Sequence, residues 1–401
     1  MREYYFEDYV GDAESFLATY FGKRSFLRRQ AFAGRLEDLR SMIDPDELLA
    51  LEALPPWYLR VSKDGIGVPA KSYRRIEARE PMLSEVVVAE KVYDLFSCGA
   101  TVTWNALQQV VPAVRTLIRP LAEVFGCAAE AGLFVTPAGN QGLAPHCDSM
   151  DVFVVQVYGS KTWRTWATPE FRPGTDASYS VAELGEPVLR ETLRPGDMLY
   201  LPYGTPHVAI AEKDLSAHLS IGVEPRRWRH LVRDTVEAVL AADRGFHEFP
   251  LLTANPDGRT AADFEDKLLK LTELLRGVDA KDELVRLAAA GRARNATSRR
   301  EFERQRGIDE FGQDTELRRR GADIRVGERE AGRARLTVGE VQVSVPEDLI
   351  AALLALDWGQ TVPAGRFLPA ATADRSVRAA QGLARLGLLE VAEGGCDADA
   401  S

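Results

Sequence analysis

The chain has 401 residues, 27% of them charged, and a formal net charge of −10. That length allows two or three domains with sizeable cores, and the composition is that of a globular protein. The negative balance excludes a general nucleic-acid or membrane-surface coat. No uninterrupted apolar stretch reaches the roughly eighteen residues a membrane span needs. The opening MREYYFEDYVGDAESF lacks the basic start and apolar run of a secretory signal. Cys98, Cys127, Cys147 and Cys396 are scattered, with no CxxC pair, which argues against a zinc ribbon or a disulfide framework and fits a reducing, cytoplasmic setting.

In sequence order, Asp12 to Tyr20, Arg35 to Ile43 and Asp46 to Leu54 carry helical spacing. Asp44 before Pro45 reads as an N-cap with proline at the first helical position, and Pro55-Pro56 closes that segment. Trp57 to Ser62 alternates like a strand, and Gly65 and Gly67 mark a turn. Asn105 to Gly126 is helical again, interrupted by Pro112 and Pro120. From about Gly132 to Val223 the pattern changes to short apolar runs: Leu133–Thr136, Val152–Tyr158, Thr162–Trp166, Pro187–Leu193, Asp197–Leu201 and Leu219–Val223. Turn signals at Pro137-Ala138-Gly139, Gly159-Ser160 and Arg194-Pro195-Gly196 separate them, which predicts a sandwich or barrel. Past Pro225, Trp228 to Ala242 and Ala261 to Ala290 read as helices. Residues 291–335 are rich in Arg, Glu and Gly and read as a solvated helix and linker. After that come a strand at Val341–Val345, a helix from Pro346 to Leu356, a helix from Ala373 to Leu386 ended by Gly387, and a strand at Leu388–Val391. Together these suggest a winged-helix module.

Three of the five histidines, His146, His207 and His218, fall in the all-β region. His146 and Asp148 form an HxD pair, and on a strand residues i and i+2 share a face. Two imidazoles and one carboxylate suit non-haem Fe(II) and leave coordination positions open. An HxD pair alone is also explained by a surface polar pair. The surrounding order changes the weighting: loop, HxD, buried strand, tight turn, strand, and then His207 delivered by a Pro-Gly loop in RPGDMLYLPYGTPHVAIA. Lys161 starts the strand after that turn. It is either a water-exposed hairpin lysine or a cation aimed into the barrel, where it would pair with a carboxylate. Trp163 and Trp166 read as core packing, and His218 as a satisfied structural histidine rather than a fourth ligand. Either parity of the 152–158 strand can line the interior: Phe153, Val155 and Val157, or their neighbours.

The segments TPAGNQGLAPHCDSMDVFVVQVYGSKTWRTW, GDMLYLPYGTPHVA and SAHLSIGV resemble the JmjC-type 2-oxoglutarate oxygenases, in particular the cupin-4 or ribosomal oxygenase subgroup. FLATYFGKRSFLRR looks like that family's N-terminal segment. The resemblance implies an α+β multidomain protein. Its parts are a double-stranded β-helix (jelly-roll or cupin) JmjC domain at 1–227 with its barrel core at about 130–225 and N-terminal α/β elements, a helical dimerisation region at 228–300, a charged linker at 301–335, and a winged-helix-like domain at 336–401. It implies that His146, Asp148 and His207 bind Fe(II), that Lys161 anchors the C5 carboxylate of 2-oxoglutarate, and that Ser220 lies near that carboxylate. O2 is the other co-substrate. Asn140 and Gln141 either line the pocket or form a turn.

Where many members of the family carry Asn-x-Tyr this protein has Gly132 and Phe134, and Gly222 replaces a serine. These departures leave the metal set intact and open the substrate question. The implied activity is hydroxylation of an Arg or His side chain on a ribosomal protein by a homodimer. The alternatives are the same chemistry on a biosynthetic peptide or small metabolite, or a non-catalytic cupin-type binding protein. From Glu340 onward there are nine acids against four arginines, so the C-terminal module is expected to contact protein rather than nucleic acid.

Overall fold

The computed structural model describes residues 3–51, 55–79, 82–172, 175–250, 258–295, 301–320, 324–338, 341–356 and 360–392. The protein divides into two units, Met1–Pro225 and Arg226–Ser401. No helix among the described residues is long and apolar enough to cross a membrane. Cys396 and residues 52–54 of the predicted 46–54 helix lie outside the described residues.

In the first unit, capping residues set the helices. Asp12 accepts from Ser15 N (2.9 Å) at the head of Ala13–Thr19, and Asp44 accepts from Asp46 N and Glu47 N ahead of Pro45–Leu49. Pro112 takes the first position of Pro112–Phe125, where its missing N–H costs nothing. Pro120, predicted as an interruption, sits inside that helix. Val114, Leu117, Ile118 and Leu121 are buried around it, and their packing outweighs one lost hydrogen bond.

The strands are β1 (Phe26–Arg28), β2 (Leu59–Lys63), β3 (Ile66–Gly67), β4 (Arg74–Arg79), β5 (Met82–Val87), β6 (Thr101–Trp104), β7 (Ala129–Thr136), β8 (His146–Cys147), β9 (Asp151–Tyr158), β10 (Lys161–Thr165), β11 (Ala177–Ser178), β12 (Leu189–Leu193), β13 (Met198–Leu201), β14 (His207–Ala211) and β15 (Ser216–Val223). An eight-stranded sheet runs β1-β13-β9-β15-β7-β6-β2-β3, a five-stranded sheet runs β11-β8-β14-β10-β12, and β4 and β5 form a separate hairpin. Every pairing among the described residues of this unit is antiparallel. The result is a cupin-like arrangement of antiparallel sheets with helices.

The large sheet is buried on both faces. On one face Phe153, Val155, Val157, Leu219 and Ile221 join Tyr9, Phe16 and Phe32 in the core beneath the N-terminal helices. On the other, Val152, Val154, Leu199 and Leu201 meet Trp163 and Leu193 of the small sheet. The interior of the barrel is therefore lined by Val152, Val154 and Gln156, and Phe153, Val155 and Val157 point away from it.

The tight β9–β10 turn leads directly into Lys161. Gly159 has φ +57°, and a Cβ there would stand 2.0 Å from Leu215 O. Gly159→Ala is expected to cost roughly 2–4 kcal/mol, because both the left-handed backbone and the clash with a carbonyl must be relieved. Urea denaturation measures this, and a loss under about 1 kcal/mol would show that the turn relaxes freely.

The second unit opens with helices Trp228–Ala242, Gly258–Arg276 and Ala280–Asn295. The single helix predicted over 261–290 is thus two. Asp279 caps a new start, accepting from Lys281 N and Asp282 N at 2.9 Å each, just past Gly277. Beyond them lie helix Glu301–Gly307, β16 (Glu316–Arg319), β17 (Ile324–Glu330), β18 (Arg333–Val338), β19 (Val341–Pro346), helix Glu347–Ala355, β20 (Thr361–Pro363), helix Ala373–Arg385 and β21 (Leu389–Val391). The strands form sheets β20-β16-β21 and β17-β18-β19.

Where the sequence predicts a charged linker over 301–335, the structure has a helix and strands. Ile308, Phe311, Leu317, Ile324 and Ala334 are buried in one core with Ile350, Leu353 and Leu383. The segment's few apolar residues pack inward. Its charges pair at the surface, Arg318 with Glu390 at 2.9 Å and Arg385 with Asp309.

Candidate active site

His146, Asp148 and His207 come together at the barrel mouth, each offering one ligand atom within 4.8 Å of the others. Strand pairing explains the meeting, since His207 of β14 pairs with both His146 of β8 and Thr165 of β10. The Nε2 atoms of His146 and His207 each lie 3.6 Å from an Asp148 carboxylate oxygen. His146 Nδ1 sits 2.8 Å from Ala144 O and His207 Nδ1 3.0 Å from Thr205 O. A carbonyl can only accept, so each Nδ1 carries the proton and each Nε2 presents a lone pair.

Burial, with the neighbouring His146, lowers the His207 pKa to about 4 against the pull of Asp148, so the ring is neutral near pH 7. Two imidazole lone pairs facing a carboxylate repel one another unless a cation lies between them. This donor set fits a divalent metal and matches a facial two-histidine, one-carboxylate centre.

Lys161 points inward and is 3% exposed. Its Nζ donates to Thr136 Oγ1 at 2.9 Å, and Thr136 also accepts from Thr101 Oγ1 at 2.9 Å. Burial lowers the Lys161 pKa to about 7, and no carboxylate among the described residues pairs with it. Lys161 and Thr165 are four residues apart on β10, about 13 Å of strand, and Thr165 pairs with His207. A buried cation at one end and a metal-ligand set at the other leave an interior run suited to a short dicarboxylate.

Two aromatic residues that the sequence marks as structural line that run. Trp163 lies between Lys161 and Thr165 on the inward face, its ring 5.9 Å from that of His207. His218 stacks on Phe134 (5.1 Å, 5°) and meets Trp163 edge-on at 5.3 Å. His218 is not a satisfied core histidine, since its Nδ1 is buried without a partner among the described residues, and Trp163 Nε1 is in the same state. Inward periodicity from Lys161 could have flagged Trp163, and the same two-residue step back from Ser220 on β15 could have flagged His218. Trp166, by contrast, packs and donates to Gly185 O at 2.9 Å.

Ser220 and Gly132 face each other across β15 and β7, one inward step from His218 and Phe134. Gly222 follows one step nearer the mouth, and a Cβ on it would fall 2.1 Å from Met150 Sδ, so Met150 occupies the space that glycine leaves. Asn140 and Gln141 spend their side-chain amides locally, on Ala138 O (2.7 Å) and Leu143 O (2.9 Å), as a turn would. Cys147, between the two ligands, is buried, and its thiol lies 3.5 Å from the Tyr179 hydroxyl.

Residues 107–231 match the JmjC domain family model. The protein is 33% identical over 155 residues to the bifunctional lysine-specific demethylase and histidyl-hydroxylase NO66 of Drosophila erecta, covering 37% of this sequence and 24% of that protein. It is 32% identical over 192 residues to ribosomal oxygenase 1 of Rattus norvegicus, covering 46% and 32%. The matched part therefore spans about a quarter to a third of these relatives. Among solved structures, Escherichia coli ycfD superposes with a TM-score of 0.51 at 18% identity, covering 94% of this protein and 97% of that one. A complex of the E. coli ribosomal oxygenase YcfD with cobalt and 2-oxoglutarate gives 0.50 at 19%, covering 95% and 98%. At these identities the likeness is one of fold.

Proposed function

We propose that this protein, whose residues 107–231 form a JmjC domain, is an Fe(II)- and 2-oxoglutarate-dependent dioxygenase that hydroxylates a C–H bond in an Arg or His residue of a ribosomal protein. The carrying observation is the pairing of the His146/Asp148/His207 lone-pair cluster with the buried Lys161 ammonium along one strand. When bound, the iron supplies the chemistry by which O2 converts 2-oxoglutarate to succinate and CO2 while one oxygen atom enters the substrate C–H bond.

The protein's own residues hold and orient the reactants. His146, Asp148 and His207 would ligate the ion, and the Ala144 and Thr205 carbonyls keep both rings in the ligating tautomer. Lys161, backed by Thr136, would hold the distal carboxylate of 2-oxoglutarate, with Ser220 nearby on the same wall. Val152, Val154, Leu199 and Leu201 exclude water from the interior.

Relatives named as a histidyl-hydroxylase and a ribosomal oxygenase support a protein substrate. One observation favours a second substrate class, a peptide or small metabolite. Positions 132, 134 and 222 offer no amide or hydroxyl, only Gly132, Phe134 and Gly222 with Met150 over it. Incubation with Fe(II), 2-oxoglutarate and purified ribosomal proteins, read by mass spectrometry, is expected to yield one protein heavier by one oxygen atom. If 2-oxoglutarate is consumed while every ribosomal protein stays unmodified, the substrate assignment fails and the second class takes its place.

The reading extends to the second unit. Exposed Trp228, Val232, Phe264 and Leu269 on its helices support a homodimer through the 228–300 region. Two helices and adjoining strands past residue 340 support a winged-helix-like module. Its acidic balance favours protein over nucleic acid, and the ribosomal assignment carries a cytoplasmic location with it.

A further inference from the structure

The geometry points to His218 as a second direct contact of the co-substrate, its Nδ1–H donating to the distal carboxylate that Lys161 also holds. This rests on the reading of Lys161 as a dicarboxylate anchor. It adds a residue for which the sequence suggests only a structural role.

The inner wall is ordered in layers. Lys161 reaches Thr136, and Thr136 pairs with Ser216, which forms the deepest layer. One inward step toward the mouth, Phe134 pairs with His218, and Trp163 stands one step from Lys161 on β10. Ser220 with Gly132 comes next, and then Gly222 against Met150. Asp151, just past the metal-ligand loop, pairs with Val223, so this last end is the metal end. His218 and Trp163 therefore occupy the layer between the ammonium and the metal ligands, and His218 is closer to the ammonium layer than Ser220 is.

His218 is 4% exposed and Trp163 4%, yet His218 Nδ1 and Trp163 Nε1 have no partner among the described residues. Leaving such a group dry and unpaired is unfavourable. Two of them in one layer indicate something that pairs them when the site is filled. Another unpaired atom in this interior among the described residues, Gln156 Oε1, belongs to a residue whose amide is already held by Tyr158 O, Gly159 O and Ser216 Oγ at the deep end.

The ligand's charge follows from the neighbours. Protonated Lys161 is a cation whose hydrogen bond among the described residues goes to a neutral threonine, and burial, with Lys161 and His207 nearby, pushes the His218 imidazole well toward its neutral form. A neutral imidazole beside an ammonium adds a donor without adding charge repulsion, which suits a carboxylate with two oxygens to share. The stack on Phe134 and the edge contact with Trp163 hold the ring in place.

The test uses the full-length Co(II)-loaded protein, with binding of 2-oxoglutarate and of pyruvate measured by calorimetry. Pyruvate presents the same 2-oxo acid head and lacks the distal carboxylate. His218→Phe keeps a stacked ring and removes the N–H, while His218→Asn places an amide N–H near the Nδ1 position. The Phe variant is expected to bind 2-oxoglutarate roughly 10- to 100-fold more weakly, the size of a lost hydrogen bond to a charged group, with pyruvate unchanged. The Asn variant is expected to recover most of that loss. Unchanged 2-oxoglutarate binding in the Phe variant overturns the inference. So does an equal loss for both acids, or an Asn variant no better than Phe, since either assigns His218 to packing alone. If the unsubstituted protein binds 2-oxoglutarate no better than pyruvate, the Lys161 reading is what fails.

Discussion

Asp148→Ala is expected to weaken Co(II) binding by well over a hundredfold and to reduce 2-oxoglutarate turnover to background. The protein should otherwise fold normally. Altering groups that merely support ligands typically costs 10- to 100-fold in metal affinity, and Asp148 is the one anionic member of the cluster itself. Without it, two imidazoles remain, 4.3 Å apart between ring centroids, with no carboxylate to balance a divalent charge. The stability expectation has the opposite sign. In metal-free protein the carboxylate faces two lone pairs at 3.6 Å, so its removal relieves repulsion, and the melting temperature in chelator should hold or rise. Adding Co(II) should then raise the melting temperature of the unsubstituted protein by mass action and leave that of Asp148→Ala unmoved. Equal Co(II) stabilisation of both proteins would remove the metal centre from this account.

The second large effect is at Lys161. Lys161→Met is expected to lower affinity for 2-oxoglutarate by roughly 30- to 3,000-fold, the range for removing one partner of a buried, hydrogen-bonded charge pair. In the absence of the dicarboxylate the same substitution should stabilise the protein by a few kcal/mol at pH 7, because it removes a buried amine whose ammonium has no anionic partner among the described residues. The folded-state pKa of Lys161 is depressed to about 7, below its unfolded value. Between these values the unfolded state binds the extra proton, so this group's penalty shrinks as pH rises from about 7 toward 10.5. The stability gap between Lys161→Met and the unsubstituted protein should therefore narrow from pH 7 to pH 9 in urea titrations. Co-substrate binding should move the other way. The carboxylate requires the ammonium, so binding takes up a proton, and the Kd should climb by up to tenfold per pH unit above about 7. A Kd that stays flat from pH 7 to 9 would mean that Lys161 does not hold the carboxylate.

Some parts of this protein were legible from residues alone because local rules govern them. Asp44-Pro45 announces a helix start wherever it lies, and the structure has that cap. His146 and Asp148 share a face because residues on extended backbone repeat their direction every two positions. The succession of turns and apolar runs between Gly132 and Val223 marked an all-β core.

What local pattern could not supply is what lies opposite. Seven of the eight residues of β9 are buried, so alternation vanishes, and only the stacking of two sheets decides that Val152 and Val154 face the interior while Phe153 and Val155 face the helices. Mixed charge across 301–335 concealed Ile308, Phe311 and Leu317, whose burial depends on strands and helices far along the sequence. The unpaired state of the Trp163 and His218 rings was not legible in the sequence, because an unpaired ring nitrogen is defined by what surrounds it. The sequence by itself determined the donor chemistry and the two-residue spacing of the first ligand pair. The tertiary structure alone decided how His207 is brought beside that pair and which neighbours the inward-facing Lys161 meets. These are contacts between strands distant in the sequence, set by the register of antiparallel pairing rather than by the preferences of any one segment.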